Sequence, residues 1–245
     1  MNNSTQLASS ETIVEHFRLI KLFNDLSNEE VLAASTSFTE NTYEKETIIF
    51  YERDYPEEQG QRIHFLVSGT VKLVKYASNG EHTIVRLCSV GEFFGVTSVL
   101  TDSPMPYTAE TLTPCKVLSI NKQSFLSLVS QYPHISLTMM TEMGKLLWFN
   151  YETHNQVVKK TDARVCKILL YHFNRDGAVK TEEGLQLKTL LPHDYIASAT
   201  GIGYEESVRI VSRLKKTDQC LNYLRGGKII ITNLDKLTQI ASKEQ

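Results

Sequence analysis

The chain has no apolar run approaching the roughly 20 residues that a membrane-spanning helix needs. Residues 1–10 are polar and lack the charged-then-apolar order of a signal peptide. A cytoplasmic protein without a membrane partner is therefore expected. The four cysteines (Cys88, Cys115, Cys166, Cys220) are scattered, with no CxxC pair. That argues against a cysteine-spaced metal site and for free thiols in a reducing compartment, with redox sensing by one of them as the alternative. No P-loop, dinucleotide fingerprint or nucleophile elbow is present. His64 and His82 stand alone rather than in the HxH pattern of a cupin-like metalloenzyme. No metal and no enzyme activity are expected. Hydrophobic residues at 41% and charged residues at 22% leave no room for a disordered chain of this length, which suits one large domain or two modest ones.

A net charge of −2 does not advertise a nucleic-acid partner, but its distribution does. From Thr161 onward there are 13 Lys/Arg against 10 Asp/Glu, whereas the first 160 residues carry 13 against 18. Near the start, Ser27 and Glu30 have the spacing of a capping box. Between residues 43 and 120, β-branched and aromatic residues dominate. Gly69, Gly80 and Gly91 recur every 11 residues, and Asn79-Gly80 marks a tight turn between strands over 70–76 and 82–87. This pattern predicts a compact antiparallel barrel or sandwich. Residues 135–160 predict a long helix. Along it Met140, Met143, Leu147, Asn150, His154 and Val157 keep a three-four spacing, the seam of a helix that packs on its own barrel or pairs with a second copy. Leu146, Trp148, Phe149 and Val158 lie off that seam and favour the second copy, since one stripe can face the barrel and another the partner.

The next helix starts at Thr161-Asp162, with Val165, Ile168, Leu169 and Phe173 on one face. Pro192-His193-Asp194 opens a short helix carrying Tyr195, Ile196 and Ala199. Gly201-Ile202-Gly203 turns the chain, and a second helix runs from Tyr204 to Lys216. Helix, glycine turn, helix is the pattern of a helix-turn-helix. Val208, Val211 and Leu214 are expected to face inward, leaving Glu205, Arg209 and Arg213 at four-residue steps on another face. Glu205 can accept from a cytosine amino group, Arg209 can donate twice to guanine, and Arg213, Lys215 and Lys216 can neutralise phosphates. The alternative is an ordinary surface helix with an i,i+4 Glu205–Arg209 pair. Residues 220–232 weigh against it. Two strand-like runs flank Arg225-Gly226-Gly227-Lys228, a hairpin with a basic tip that would serve as a wing against phosphate.

With these residues in order, the chain resembles the Crp/Fnr superfamily of bacterial transcription regulators from about residue 22 to 237. The likeness rests on Leu22-Phe23, Leu26-Ser27 and Glu30, on residues 65–73 (Phe-Leu-Val-Ser-Gly-Thr-Val-Lys-Leu), on Asn79-Gly80-Glu81, and on Gly91-Glu92-Phe93-Phe94-Gly95. In the C-terminal part it rests on Ile196, Ala197, Thr200, Gly201, Glu205, Ser207-Val208-Arg209-Ile210, Ser212, Leu214 and Lys215. The resemblance implies an α+β chain: an N-terminal extension over 1–20, a double-stranded β-roll of the cyclic-nucleotide-binding type over 21–134, a dimerisation helix over 135–160, and a winged helix-turn-helix over 161–245. It implies a homodimer on a near-palindromic site in double-stranded DNA, with Tyr204, Glu205, Ser207, Arg209, Arg213, Arg225 and Lys228 as DNA-binding residues. RNA polymerase and a small-molecule effector are further candidate partners.

The departures from the family pattern matter as much. Cyclic-AMP-binding members carry a glutamate directly after the Phe-Gly motif, where this chain has Gly95-Val96. They carry Arg-Ser before an alanine, where this chain has Tyr107-Thr108 before Ala109. These four residues mark the effector pocket, and without a cation for the phosphate cyclic AMP is not expected there. The scattered cysteines supply no iron–sulfur cluster, and no spacing makes His82 or another histidine a haem ligand. The Gram-positive virulence-regulator branch likewise lacks the cyclic-AMP pocket, and the chain is loosely similar to it. Tyr204 replaces the arginine that the cyclic-AMP regulator carries before its recognition-helix glutamate. The remaining alternative is a β-roll module whose C-terminal domain binds protein.

Overall fold

A computed structural model describes residues 10–54, 62–154 and 160–242. The elements in chain order are α1 (Ser10–Arg18), a 3-10 turn (Lys21–Phe23), α2 (Asn28–Ser35), β1 (Phe38–Tyr43), β2 (Ile48–Phe50), β3 (Arg62–Ser68), β4 (Val71–Tyr76), β5 (His82–Cys88), β6 (Phe93–Phe94), α3 (Val96–Thr101), β7 (Thr108–Thr111), β8 (Cys115–Asn121), α4 (Lys122–Gln131) and α5 (His134–His154). Then follow α6 (Thr161–Asp176), β9 (Ala178–Thr181), β10 (Gly184–Leu187), α7 (His193–Thr200), α8 (Tyr204–Lys216), β11 (Leu221–Leu224), β12 (Lys228–Ile231) and α9 (Leu234–Ala241). The chain divides into two compact units, Met1–Lys75 with Leu87–Leu146 and Tyr76–Arg86 with Leu147–Gln245. That division falls inside α5, whereas the sequence places domain borders at 134/135 and 160/161.

The N-terminal half forms two four-stranded antiparallel sheets, ordered β1-β8-β3-β6 and β2-β7-β4-β5. Strand β3 explains the imperfect alternation of its sequence. Ile63, Phe65 and Val67 feed a core shared with the helices, while Leu66 feeds the core of the roll, and a register shift between Leu66 and Ser68 breaks the period. The helical side is an aromatic cluster in which Phe17, Phe23, Phe38 and Phe65 meet with ring centroids 5.0–5.9 Å apart. Residues 10–20, which the sequence suggests are an extension, put Phe17 and Ile20 into this core. Arg18 ties them down by donating to the carbonyls of Phe23, Asn24 and Leu26. The capping box forms as expected: Ser27 N–H donates to the Glu30 carboxylate at 2.7 Å, and Glu30 N–H donates to Ser27 Oγ at 3.2 Å. Gly69 turns β3 into β4 with φ +89°, and a side chain there would collide with the Pro114 carbonyl at 2.3 Å.

In the second unit a four-stranded sheet, ordered β11-β12-β10-β9, backs the helices α6 to α9. The sequence shows the β11–β12 wing hairpin but not β9, whose Ala-Val-Lys-Thr has little alternation. Helix α6 buries Val165, Ile168, Leu169 and His172 rather than Phe173. A 3.6-residue period selects position 172, and the imidazole is accepted because polar partners surround it.

Candidate nucleic-acid interface

Helices α7 and α8 are joined by Gly201, in the left-handed conformation at φ +65°, which ends α7. Gly203 precedes α8 and accepts from Ser207 N–H. Helix α8 buries Ser207, Ile210, Val211 and Leu214, an i, i+3, i+4, i+7 stripe. This corrects two expectations. Val208 faces outward at 37% exposure, because the stripe runs through Ser207 and Ile210 instead. Ser207, expected at the DNA, is fully buried, and its Oγ lies 3.3 Å from His193 Nδ1.

The outer face of α8 carries Tyr204, Glu205, Val208, Arg209, Arg213, Lys215 and Lys216, all exposed. Tyr204 and Glu205, at the N-terminus, have no hydrogen-bond or ion-pair partner among the described residues. Arg209 reaches Glu206 at 3.2 Å rather than Glu205, an exposed i,i+3 pair of little energetic weight. Arg213 is ion-paired with Asp162 in the first turn of α6.

The wing is held close to the helices by the segment ahead of α7. Leu191 N–H donates to the Gly227 carbonyl at 2.7 Å. A side chain on Gly227 would meet Pro192 N at 2.7 Å, so this glycine is needed for close approach as well as for its φ of +85°. The Tyr223 ring stacks on His193 at 4.2 Å, and Tyr204 meets His193 edge-on at 6.0 Å. Burial lowers the His193 pKa, with Asp194 working against it. Burial, followed by Tyr204 and Asp194, pushes the Tyr223 phenol up to about 12. Both rings therefore stand neutral at physiological pH. Arg225 and Lys228, on either side of the turn, are exposed. The sequence carries no signal for the His193–Tyr223–Ser207 contacts, which join residues 14 to 30 positions apart.

Beneath α7 lies a buried polar network. His172 Nδ1 is 3.0 Å from Asp176 Oδ2, and its Nε2 is 2.8 Å from the Tyr195 hydroxyl. A carboxylate only accepts, so Nδ1 carries a proton towards Asp176. Thr189 and Arg175 also donate to Asp176. Burial works to raise the Asp176 pKa, but the donors from His172, Arg175 and Thr189 outweigh it and hold the carboxyl well below the usual range.

The four expected effector-pocket residues lie together in the roll. Gly95 (φ +79°) precedes α3, and its N–H donates to the Tyr107 hydroxyl at 3.2 Å. Thr108 is buried, and its Oγ1 accepts from Glu52 N–H. Val96 is buried. Phe50 joins His64, Phe94 and Tyr107 in an aromatic cluster with centroids 5.6–6.1 Å from its own ring, and His64 stacks on Phe94 at 5.1 Å. None of the four pocket positions offers the cation that a cyclic phosphate needs or the carboxylate that a ribose needs, so the family's nucleotide does not fit them. Burial pushes the thiols of Cys115, Cys166 and Cys220 up, that of Cys220 to about 11, which keeps them protonated and poorly reactive. Among the described residues no group of three His, Cys, Asp or Glu side chains could hold a metal ion, and no helix is long and apolar enough to cross a membrane.

The long helix α5 divides its expected seam. Ile135 and Met139 are buried in the chain's own core, and Met143 packs against it. Met140 and Leu147 are exposed and align with exposed Leu137, Gly144 and Tyr151, a three-four spacing one step away from the expected one. Asn150 and His154 lie on the helix, but their side chains are outside what the structure describes; Val157 lies outside the described residues.

Residues 40–132 match the family of cyclic nucleotide-binding domains. Over 201 residues the chain is 28% identical to the global nitrogen regulator of Synechocystis sp., covering 80% of this chain and 82% of that one. It is 26% identical over 187 residues to the CRP-like cAMP-activated global transcriptional regulator of Mycobacterium tuberculosis, covering 75% and 81%. Its fold matches that of a CooA variant from Carboxydothermus hydrogenoformans with a TM-score of 0.67 at 20% identity, over 91% of this chain and 95% of that one. With residues 40–132 matching the cyclic nucleotide-binding domain, relatives named as transcription regulators at 26–28% identity and the fold of the CooA variant over 91% of this chain, the chain is similar to regulators of the Crp/Fnr type.

Proposed function

We propose that the chain is a sequence-specific, dimeric DNA-binding transcription regulator, gated by a signal other than cyclic AMP. One observation carries this reading. A helix with an apolar inner stripe presents Glu205, Arg209, Lys215 and Lys216 outward, next to a wing tip bearing Arg225 and Lys228. Such a helix enters the major groove with its N-terminal residues against base edges, while the flanking cations neutralise phosphates. Arg209 is the reader of guanine, since its exposed pair with Glu206 costs little to exchange for a bidentate bond to a base. Arg213, paired with Asp162, is a phosphate contact at most.

The partner at the exposed stripe of α5 is a second copy of this chain. Leu137, Met140, Leu147 and Tyr151 repeat at three-four spacing, and Gly144 at the centre has nothing within 4 Å of where a side chain would stand, so a facing helix can approach closely. Residues 21–134 then form the sensor domain, 135–160 the dimerisation helix and 161–245 the DNA-binding domain. A signal shifts the dimer between two states about the Lys160–Asp162 hinge. In the binding state the two α8 helices stand about 34 Å apart, one turn of DNA. RNA polymerase is a further candidate partner, and the cytoplasm is the compartment in which such a protein meets DNA.

Selection of bound duplexes from a random pool tests the reading. The expected outcome is a two-fold symmetric motif. Arg209→Ala should weaken it by roughly 5- to 100-fold and relax one position in each half-site. Failure to enrich any motif, together with an absence of salt-sensitive duplex binding, would reject it.

A further inference from the structure

The outward position of Val208 changes what α8 can recognise. Tyr204 and Val208 are one helical turn apart and therefore neighbours on the surface. Tyr204 is 59% exposed and Val208 37% exposed, on a face whose other exposed residues are charged or polar. Packing inside the chain does not require this exposure, because the inner stripe of α8 is complete without Val208. The Tyr204 ring is not loose: its edge rests on His193, which is itself stacked on Tyr223 of the wing. An apolar pair among charges, in the first two turns of the helix, has a specific counterpart in the major groove. Only thymine carries an apolar group there, the C5 methyl.

We propose that Tyr204 and Val208 form a thymine-reading strip, so that each half-site contains thymine at the steps they cover, beside the cytosine met by Glu205. The proposal rests on the DNA-binding reading and names its base specificity. The phenol contributes through its ring rather than its hydroxyl, which has no hydrogen-bond partner among the described residues. Burying one methyl against such a strip should strengthen binding by about fourfold.

The test removes the methyl from the DNA and the strip from the protein. The selected duplex is remade with deoxyuridine in place of each thymine in turn, and its affinity is measured for the full-length wild-type chain, Val208→Ala, Tyr204→Ala and Tyr204→Phe. At one or two thymines per half-site, wild type and Tyr204→Phe should lose about fourfold on demethylation. Val208→Ala or Tyr204→Ala should bind the thymine and uracil duplexes equally at the step that each residue covers. Thermal melting should coincide for all four proteins, since both side chains are exposed. Indifference of the wild type to every thymine-to-uracil change would overturn the proposal, as would an unchanged methyl penalty in both alanine variants. Loss of duplex binding by the wild type itself would instead overturn the DNA-binding reading beneath it.

Discussion

Among the described residues each unit buries one histidine, and the two are treated in opposite ways. His172 in the winged unit has both ring nitrogens engaged, by Asp176 and Tyr195. His64 in the roll lies between Phe50 and Phe94, with its Nδ1 buried and without a hydrogen-bond partner. Burial, with a smaller push from Arg62, lowers the His64 pKa to about 3. The first ring is a polar rivet that joins α6 to the first helix of the helix-turn-helix. The second fills an aromatic interior as if it were a phenyl ring. Burial alone therefore says little about what a histidine does; the partners available around it decide.

The largest test of this contrast is truncation. His172→Ala opens a cavity and removes one buried partner each from the Asp176 carboxylate and the Tyr195 hydroxyl, and should destabilise the winged unit by about 2–4 kcal/mol. His64→Leu removes a ring with an unsatisfied nitrogen and should cost less, about 1 kcal/mol or under. Urea unfolding with amide exchange in each unit checks both, and equal losses would break the comparison.

The second test is acidity. The folded roll holds His64 neutral down to about pH 3, while in the unfolded chain the ring takes up its proton near 6.5. Between these values the unfolded state binds more protons, so the roll should lose stability as pH falls from about 6.5 to 3. His64→Leu should flatten that slope. The Asp176 carboxyl is depressed in the folded state, so its contribution is present above the ordinary carboxylate pKa of about 4 and fades as pH falls below it. Asp176→Asn should remove that acid-sensitive step from the winged unit alone. A roll whose stability is level between pH 6.5 and 4 would show that His64 is not held neutral by its surroundings.

The smallest expected effect is at Tyr107. Tyr107→Phe deletes the acceptor for Gly95 N–H while keeping the ring in the cluster, and should lower the stability of the roll by about 1 kcal/mol. It should leave the unfolding of the winged unit unchanged, as followed by the same exchange measurement.

Features written in contiguous residues are legible in the sequence alone. Ser27-Asn28-Glu29-Glu30 carries its own cap, Asn79-Gly80 its own turn, Gly201-Ile202-Gly203 the break between two helices, and Arg225-Gly226-Gly227-Lys228 the wing tip. Helix faces are less legible where apolar and polar candidates compete at adjacent positions. By hydrophobicity Val208 belongs inward beside Ile210 and Val211, Phe173 inward in place of His172, and Met143 on an exposed seam that in fact passes through Gly144. In each case hydrophobicity points to one residue, and the surface packed against the helix selects another.

The sequence by itself determined the order of elements, the helix-turn-helix with its wing and the loss of the cyclic-AMP residues, because these depend on backbone preferences and on side-chain chemistry a few residues apart. Only the tertiary structure decided that Ser207 and His172 turn inward, that Tyr107 answers the Gly95 amide, and that Tyr204 and Val208 stand together on the outer face of α8. The cost of burying a polar atom depends on whether a partner waits for it, and that partner comes from a distant part of the chain.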